Sequence, residues 1–184
     1  MHFAPDTEAS LEFVVALANT DPSASKSGAD ELATVEALAE LITLNGYSGR
    51  MDHDAAELLD VQQTRAILRE LWTLDRDDAA IEVNEILRAA RALPFLVRHD
   101  GLDWHIHATA SDAPLAERIR VEASLALTDV IRMDEMGRLR VCGADDCEGL
   151  FMDLSRNGSK RFCSVRCGNR VNMIAFRERK AERG

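Results

Sequence analysis

The sequence predicts a mainly α-helical protein of the α+β class. A helical N-terminal domain over residues 1–136 carries one small β-hairpin near 94–108, and a cysteine-bearing module fills residues 137–184. Three observations predict this. Apolar residues recur at helical spacing through most of 10–133, the period drops to two near 95–107, and all four cysteines lie between 142 and 167. With 46% apolar and 29% charged residues, the chain has the balance of a folded globule rather than a disordered segment.

The elements follow in order. Leu11, Phe13, Val14, Leu17 and Ala18 after Ser10 predict a first helix to about Asn19. Residues 21–28 form a polar, breaker-rich loop. Leu32, Val35, Leu38, Ala39 and Ile42 place a second helix over 32–45, stopped at Gly46. A third helix starts near Asp54, with Leu58, Val61, Ile67, Leu68, Leu71 and Trp72 as candidate core. A fourth spans Asp78–Ala92 on Ile81, Ile86, Leu87 and Ala90.

Phe95–Arg98 and Leu102–His107 then flank His99-Asp100-Gly101, a hairpin around an Asp-Gly turn. Leu102, Trp104 and Ile106 share one strand face, and Asp103, His105 and His107 share the other. Two histidines at i, i+2 can grip a metal with a third ligand, but such a pair is more often a polar sheet face, which is the expectation here. Pro114 opens a fifth helix through Leu115, Ile119, Val121, Leu125 and Val130 to about Met133.

This domain contains no glycine-rich phosphate loop, no G-x-S-x-G elbow and no H-E-x-x-H, so a non-enzymatic role is expected. The start has no basic-then-apolar leader, and no stretch approaches the roughly 20 apolar residues of a membrane span. A cytoplasmic location is the expectation. In a reducing compartment, clustered cysteines favour metal over disulfides.

The cysteines, Cys142, Cys147, Cys163 and Cys167, run C-x4-C-x15-C-x3-C. Two close pairs joined by a spacer suit one tetrahedral, closed, structural zinc ion. A redox dithiol would usually show C-x-x-C, and common iron–sulfur runs are spaced differently. Within the spacer, 150–154 predicts a strand, Ser155-Arg156-Asn157-Gly158 a turn, and 160–162 the return strand. A helix then starts at Ser164–Cys167 and continues toward Lys180, where its N-terminal amides favour thiolates. Knuckle, hairpin and ligand-bearing helix together describe a treble-clef-like zinc finger.

Charge separates the two segments. Residues 138–184 hold 11 Lys+Arg against 6 Asp+Glu, a balance of +5. Residues 1–137 hold 11 against 26, a balance of −15, which together give the chain's −10. Only the C-terminal segment suits a polyanion. Mutual attraction of the two segments is the alternative use of the same charges. Arg166, Arg170 and Arg177 project from similar sides of the last helix, with Arg179, Lys180 and Arg183 at its end and Lys160 and Arg161 on the hairpin. Arginine forks suit phosphate and guanine edges, so these residues are the candidate DNA contacts.

Arg138-Leu139-Arg140-Val141-Cys142, Phe151-x-Asp153-x-Ser155-Arg156-Asn157, Arg161-Phe162-Cys163-Ser164 and Cys167-Gly168-Asn169-Arg170 together resemble the CGNR zinc finger over about 138–180. Phe162 stands where that family commonly has Trp, and Val165 where Met is common. The preceding region is similar to the ABATE domain through Leu11-Glu12-Phe13 with Asn19-Thr20, Leu68-Arg69-Glu70-Leu71 and Val83–Leu87. The resemblance implies a stress-linked bacterial transcription regulator whose finger binds DNA and whose larger domain binds a small molecule. Many DNA readers use paired half-sites, so a homodimer is a further expectation. The alternative is a protein-interaction or small-molecule-binding protein whose zinc is purely structural.

Overall fold

The structure, a computed structural model, describes residues 3–99 and 103–181. Six α-helices and two two-stranded antiparallel sheets are found among the described residues. The predicted Asp100-Gly101 turn, Leu102 and Arg183 lie outside them.

Helix α1 covers Pro5–Ala18 and begins well before Leu11, the predicted start. Pro5 occupies the first turn, where its missing N–H costs nothing, and Asp6 and Glu8 sit at the positive end of the helix dipole. Helix α2 covers Val35–Leu44, because the Thr34 side chain caps Ala37 N. Leu32 is fully buried but precedes the helix.

Helix α3, Ala55–Leu71, starts at the predicted place. Asp54 accepts from Glu57 N, while the Glu57 carboxylate reaches back to Asp52 N and His53 N. Helix α4 runs Arg76–Ala89 rather than 78–92, because Asp75 caps both Asp77 N and Asp78 N. Two predicted core residues are corrected: Ile67 and Ile81 are exposed, whereas Ala79 and Val83 are buried.

Helix α5, Leu115–Arg132, is the central strut. It buries residues all round its circumference, including Leu115, Ile119, Val121, Ala123 and Leu127, and α1, α3 and α4 pack on it. Near its start Arg118 is almost fully buried. Its guanidinium donates to the carbonyls of Ser48, Arg50 and Ala113. Gly49 (φ +94°) is needed there, since a Cβ would meet Arg118 Nη1 at 2.6 Å.

Strands β1 (Phe95–Val97) and β2 (His105–His107) form the expected antiparallel hairpin. Its register pairs Val97 with His105, where a two-residue Asp100-Gly101 turn would pair Val97 with Trp104. Trp104 is 63% exposed and Ile106 48%, but His105 only 9%. The polar face is therefore the sheltered one, because it turns toward Glu122 on α5.

Strand β3 (Leu139–Val141) pairs with β4 (Leu150–Met152). This corrects the predicted pairing of 150–154 with 160–162. The Ser155–Gly158 turn forms, with Gly158 at φ +57° and its N–H donating to Ser155 O, but the segment after it is no strand. The hairpin loop is instead the stretch holding Cys142 and Cys147. Leu139 and Leu150 belong to the same apolar core as α1, α3, α4 and α5. Helix α6, Val165–Ala181, buries only Cys167 and projects from the finger. Ile174 on this helix is 48% exposed.

Candidate functional site

Two structural devices bring the cysteines together. Cys142 and Cys147 sit in the β3–β4 loop, where Cys142 N donates to Gly149 O and Cys147 N to Ala144 O. Cys163 and Cys167 flank the start of α6, where the Ser164 hydroxyl accepts from Cys167 N at 3.3 Å, capping the first turn. Gly143 N donates to Arg161 O and ties the two halves.

All four Sγ atoms lie within 4.8 Å of one another, a cluster able to hold a metal ion. Cys147–Cys163 and Cys163–Cys167 are each 3.7 Å apart. Four sulfurs placed tetrahedrally at zinc–thiolate bond length lie about 3.8 Å apart, so the donor set and its spacing fit zinc. Gly149 N and Cys163 N point at Cys147 Sγ and Cys142 Sγ at 3.4 and 3.5 Å. Such N–H groups stabilise thiolates and orient them. Gly149 cannot carry a side chain, because a Cβ would lie 2.9 Å from Cys163 Sγ.

Burial pushes the Cys163 thiol well up, and the three neighbouring cysteines add to it. Cys147 also rises, chiefly through burial. Burial alone would raise Cys167 as well, but the Ser164 hydroxyl and the other cysteines bring it below the usual thiol value. Four thiolates cannot crowd together without a cation to take up their charge.

Asp153, fully buried, fastens the segment between the cysteine pairs. It accepts from Ser155 N (2.9 Å), Ser155 Oγ (2.5 Å) and Lys160 N (2.8 Å), with Arg140 Nη1 at 3.5 Å. Burial works to raise this carboxyl, yet the hydrogen bonds together hold it below the usual carboxylate value.

The basic residues divide. Arg170 turns inward. Its Nη2 is 2.6 Å from Asp146 Oδ1 and 3.6 Å from Cys167 Sγ, so it braces the metal site. Arg166 is exposed but donates to Lys26 O at 3.0 Å, touching the loop after α1. Lys160 and Arg161 are exposed and lie over the rings of Phe151 and Phe162 at 5.0 and 5.5 Å. Phe162 thus serves as a stacking platform despite replacing Trp. Arg177, Arg179 and Lys180 are exposed along the projecting end of α6.

Sequence reasoning missed Asp146 as the Arg170 partner, and it missed how the finger is seated. Asn19 Nδ2 donates to Leu150 O at 2.9 Å, and Asn19 Oδ1 accepts from Leu150 N at 2.7 Å. One side chain thus completes the free edge of β4 as another strand would. Trp72 Nε1 donates to Arg140 O, and Arg69 to Ala18 O, Ser23 Oγ and Glu148 O. The Asn19-Thr20 and Leu68–Leu71 pieces of the resemblance lie at or beside this seam.

Comparison with known proteins agrees with this geometry. The CGNR zinc finger model matches residues 138–180. The ABATE model, described as "Putative stress-induced transcription regulator", matches residues 11–133. No curated protein matches the chain. A helical body matched over 123 residues and a four-cysteine cluster matched from its first strand to its basic helix lead to one assignment: the chain belongs to the ABATE family and carries a CGNR zinc finger.

Proposed function

We propose that the protein is a cytoplasmic transcription regulator that binds DNA through its finger, with Cys142, Cys147, Cys163 and Cys167 holding one structural zinc ion. The N-terminal domain acts as the sensor or dimerisation unit. One observation carries this reading: the cationic residues Lys160, Arg161, Arg166, Arg177, Arg179 and Lys180 are all exposed on the metal-anchored turn and helix of an otherwise acidic chain. A helix fixed at its N-terminus and free along its length suits a groove lined by phosphates. Zinc supplies no chemistry here. It takes up thiolate charge and fixes the start of α6. No helix among the described residues is long and apolar enough to cross a membrane.

The test is selection of bound fragments from genomic DNA by the zinc-loaded chain, followed by titration at several salt concentrations. Binding should weaken with a log–log slope of about −0.9 per neutralised phosphate. The R161A/R177A/K180A variant should retain zinc and bind more weakly with a shallower slope. Arg170 is kept, because it touches the cysteine cluster. Zinc-loaded protein with no affinity for any fragment at low salt removes the DNA reading.

The alternative partner is another protein. Val165, Met173, Ile174 and Phe176 on α6 are 81, 52, 48 and 57% exposed, an apolar surface of the kind that seeks cover. Two chains joined through it would present paired basic helices. Association that survives DNA removal but is lost in F176A would support this reading.

A further inference from the structure

A second cluster of potential ligands, apart from the cysteines, lies in the hairpin of the helical body. His105 and His107 alternate along β2, and His99 stands just past β1, so the hairpin brings the three rings together. Their Nε2 atoms form a triangle with sides of 3.0 Å (His105–His107), 3.2 Å (His99–His105) and 3.3 Å (His99–His107). Nitrogens bound tetrahedrally to one zinc-sized ion lie about 3.3 Å apart. The rings stand edge to face, with interplanar angles of 61–70°. Each therefore presents its Nε2 edge to a common point rather than stacking.

The outer contacts identify which nitrogens carry hydrogen. His105 Nδ1 is 2.8 Å from Asp103 O. A carbonyl only accepts, so Nδ1 holds the proton and Nε2 of the neutral ring is a bare lone pair. His107 Nδ1 lies 3.6 Å from Glu122 Oε1, too far for a hydrogen bond, but the adjacent carboxylate favours a proton on that nitrogen. Two bare lone pairs 3.0 Å apart repel unless a cation lies between them. A backbone carbonyl and a carboxylate behind two ligand histidines form the outer layer that metal-binding imidazoles need. Glu122 also supplies opposing negative charge. The nearby Arg118 guanidinium opposes a cation, but its hydrogen bonds are committed to backbone carbonyls.

We propose that His99, His105 and His107 form a second metal site, binding one divalent transition-metal ion of borderline softness through their Nε2 atoms. Zinc is the first candidate, since imidazole suits it and carboxylate-preferring magnesium and calcium find no oxygen ligands in the triangle. Three protein ligands leave one tetrahedral position for water or a small anion, unlike the closed four-thiolate site. The inference does not rest on DNA binding, and its failure would leave the finger as described.

Equilibrium dialysis of the full chain against micromolar free zinc, followed by elemental analysis, tests it. Wild type should hold two zinc ions per chain and H105Q/H107Q one. Wild type holding one, or the variant holding two, overturns the site. H99Q, altered outside the strands, guards against misfolding of the double variant. It should keep the wild-type circular dichroism and bind the second zinc at least about tenfold more weakly, since even outer-layer partners cost that much. Unchanged affinity in H99Q overturns the proposal. Cobalt(II) added to chain already holding one zinc should give ligand-field bands without thiolate charge transfer. Thiolate bands from that second ion would also overturn it.

Discussion

Asp153 shows how much of the finger depends on one side chain. It is fully buried and receives three hydrogen bonds of 2.5–2.9 Å, two of them from backbone amides. Asp153→Asn would set an amide N–H₂ against one of those donors. The loss should be about 3 kcal/mol, as for other buried charged acceptors. Because the folded carboxyl lies below its ordinary 3.8, its contribution is complete above that pH and is lost as pH falls through the lower folded value. Denaturant titration of both chains should therefore show a gap that is constant near neutrality and closes in acid. A gap that widened on acidification would contradict the assignment. Gly149 makes the same point through absence, since even a methyl group would collide with two ligand sulfurs.

At the level of elements, the Asn19 bridge to β4 gives the next prediction. Asn19→Ala leaves Leu150 N and O without their partner at a partly buried edge. It should cost about 2 kcal/mol, which for a chain of this size is a fall of about 4–8 °C in Tm. Metal content should not change. A variant as stable as wild type would mean that apolar packing alone seats the finger. Amphipathic spacing located the five helices of the N-terminal body, because burial of one face leaves a local periodic signal, whereas α6 was read from the cysteine pair at its start. It misplaced the starts of α1 and α4, where Pro5 and the Asp75 cap decide, since neither belongs to the apolar stripe. The Asn-Gly turn was legible, but the partner of β4 was not. That partner, 139–141, is joined by long-range pairing across the cysteine loop rather than by the turn. Hydropathy alternation separated the two faces of β2 but not which one is sheltered, since the packing leaves Trp104 and Ile106 exposed and shelters His105 beside His99 and His107. The clustering of the four cysteines was legible because two short spacings joined by a turn bring their side chains together. His99 was not, because it lies outside the alternating strand.

Across the whole molecule, the finger is fused to the helical body by its hairpin, while its helix touches that body through Arg166 near its start and is exposed along most of its length. Leu139 and Leu150 lie in the main core, while α6 buries nothing but Cys167 among its described residues. Removal of metal should therefore act unequally. An isolated helix of 17 residues is marginal in water, so α6 should fray once the thiolates release its first turn. The helices around α5 keep their own packing and should persist. Chelation at neutral pH should reduce the far-ultraviolet helix signal by no more than the share of α6, and should lower Tm through the loosened hairpin. Zinc-loaded protein should melt in one calorimetric transition, because two elements sharing a core cannot unfold independently. Two separated transitions in the loaded chain, or complete loss of helix on chelation, would contradict this coupling. If it holds, a change in the helical body can reach the basic helix through the Asn19, Arg69 and Trp72 contacts. On the proposed function, that is the physical connection through which the N-terminal domain would alter how the finger meets DNA.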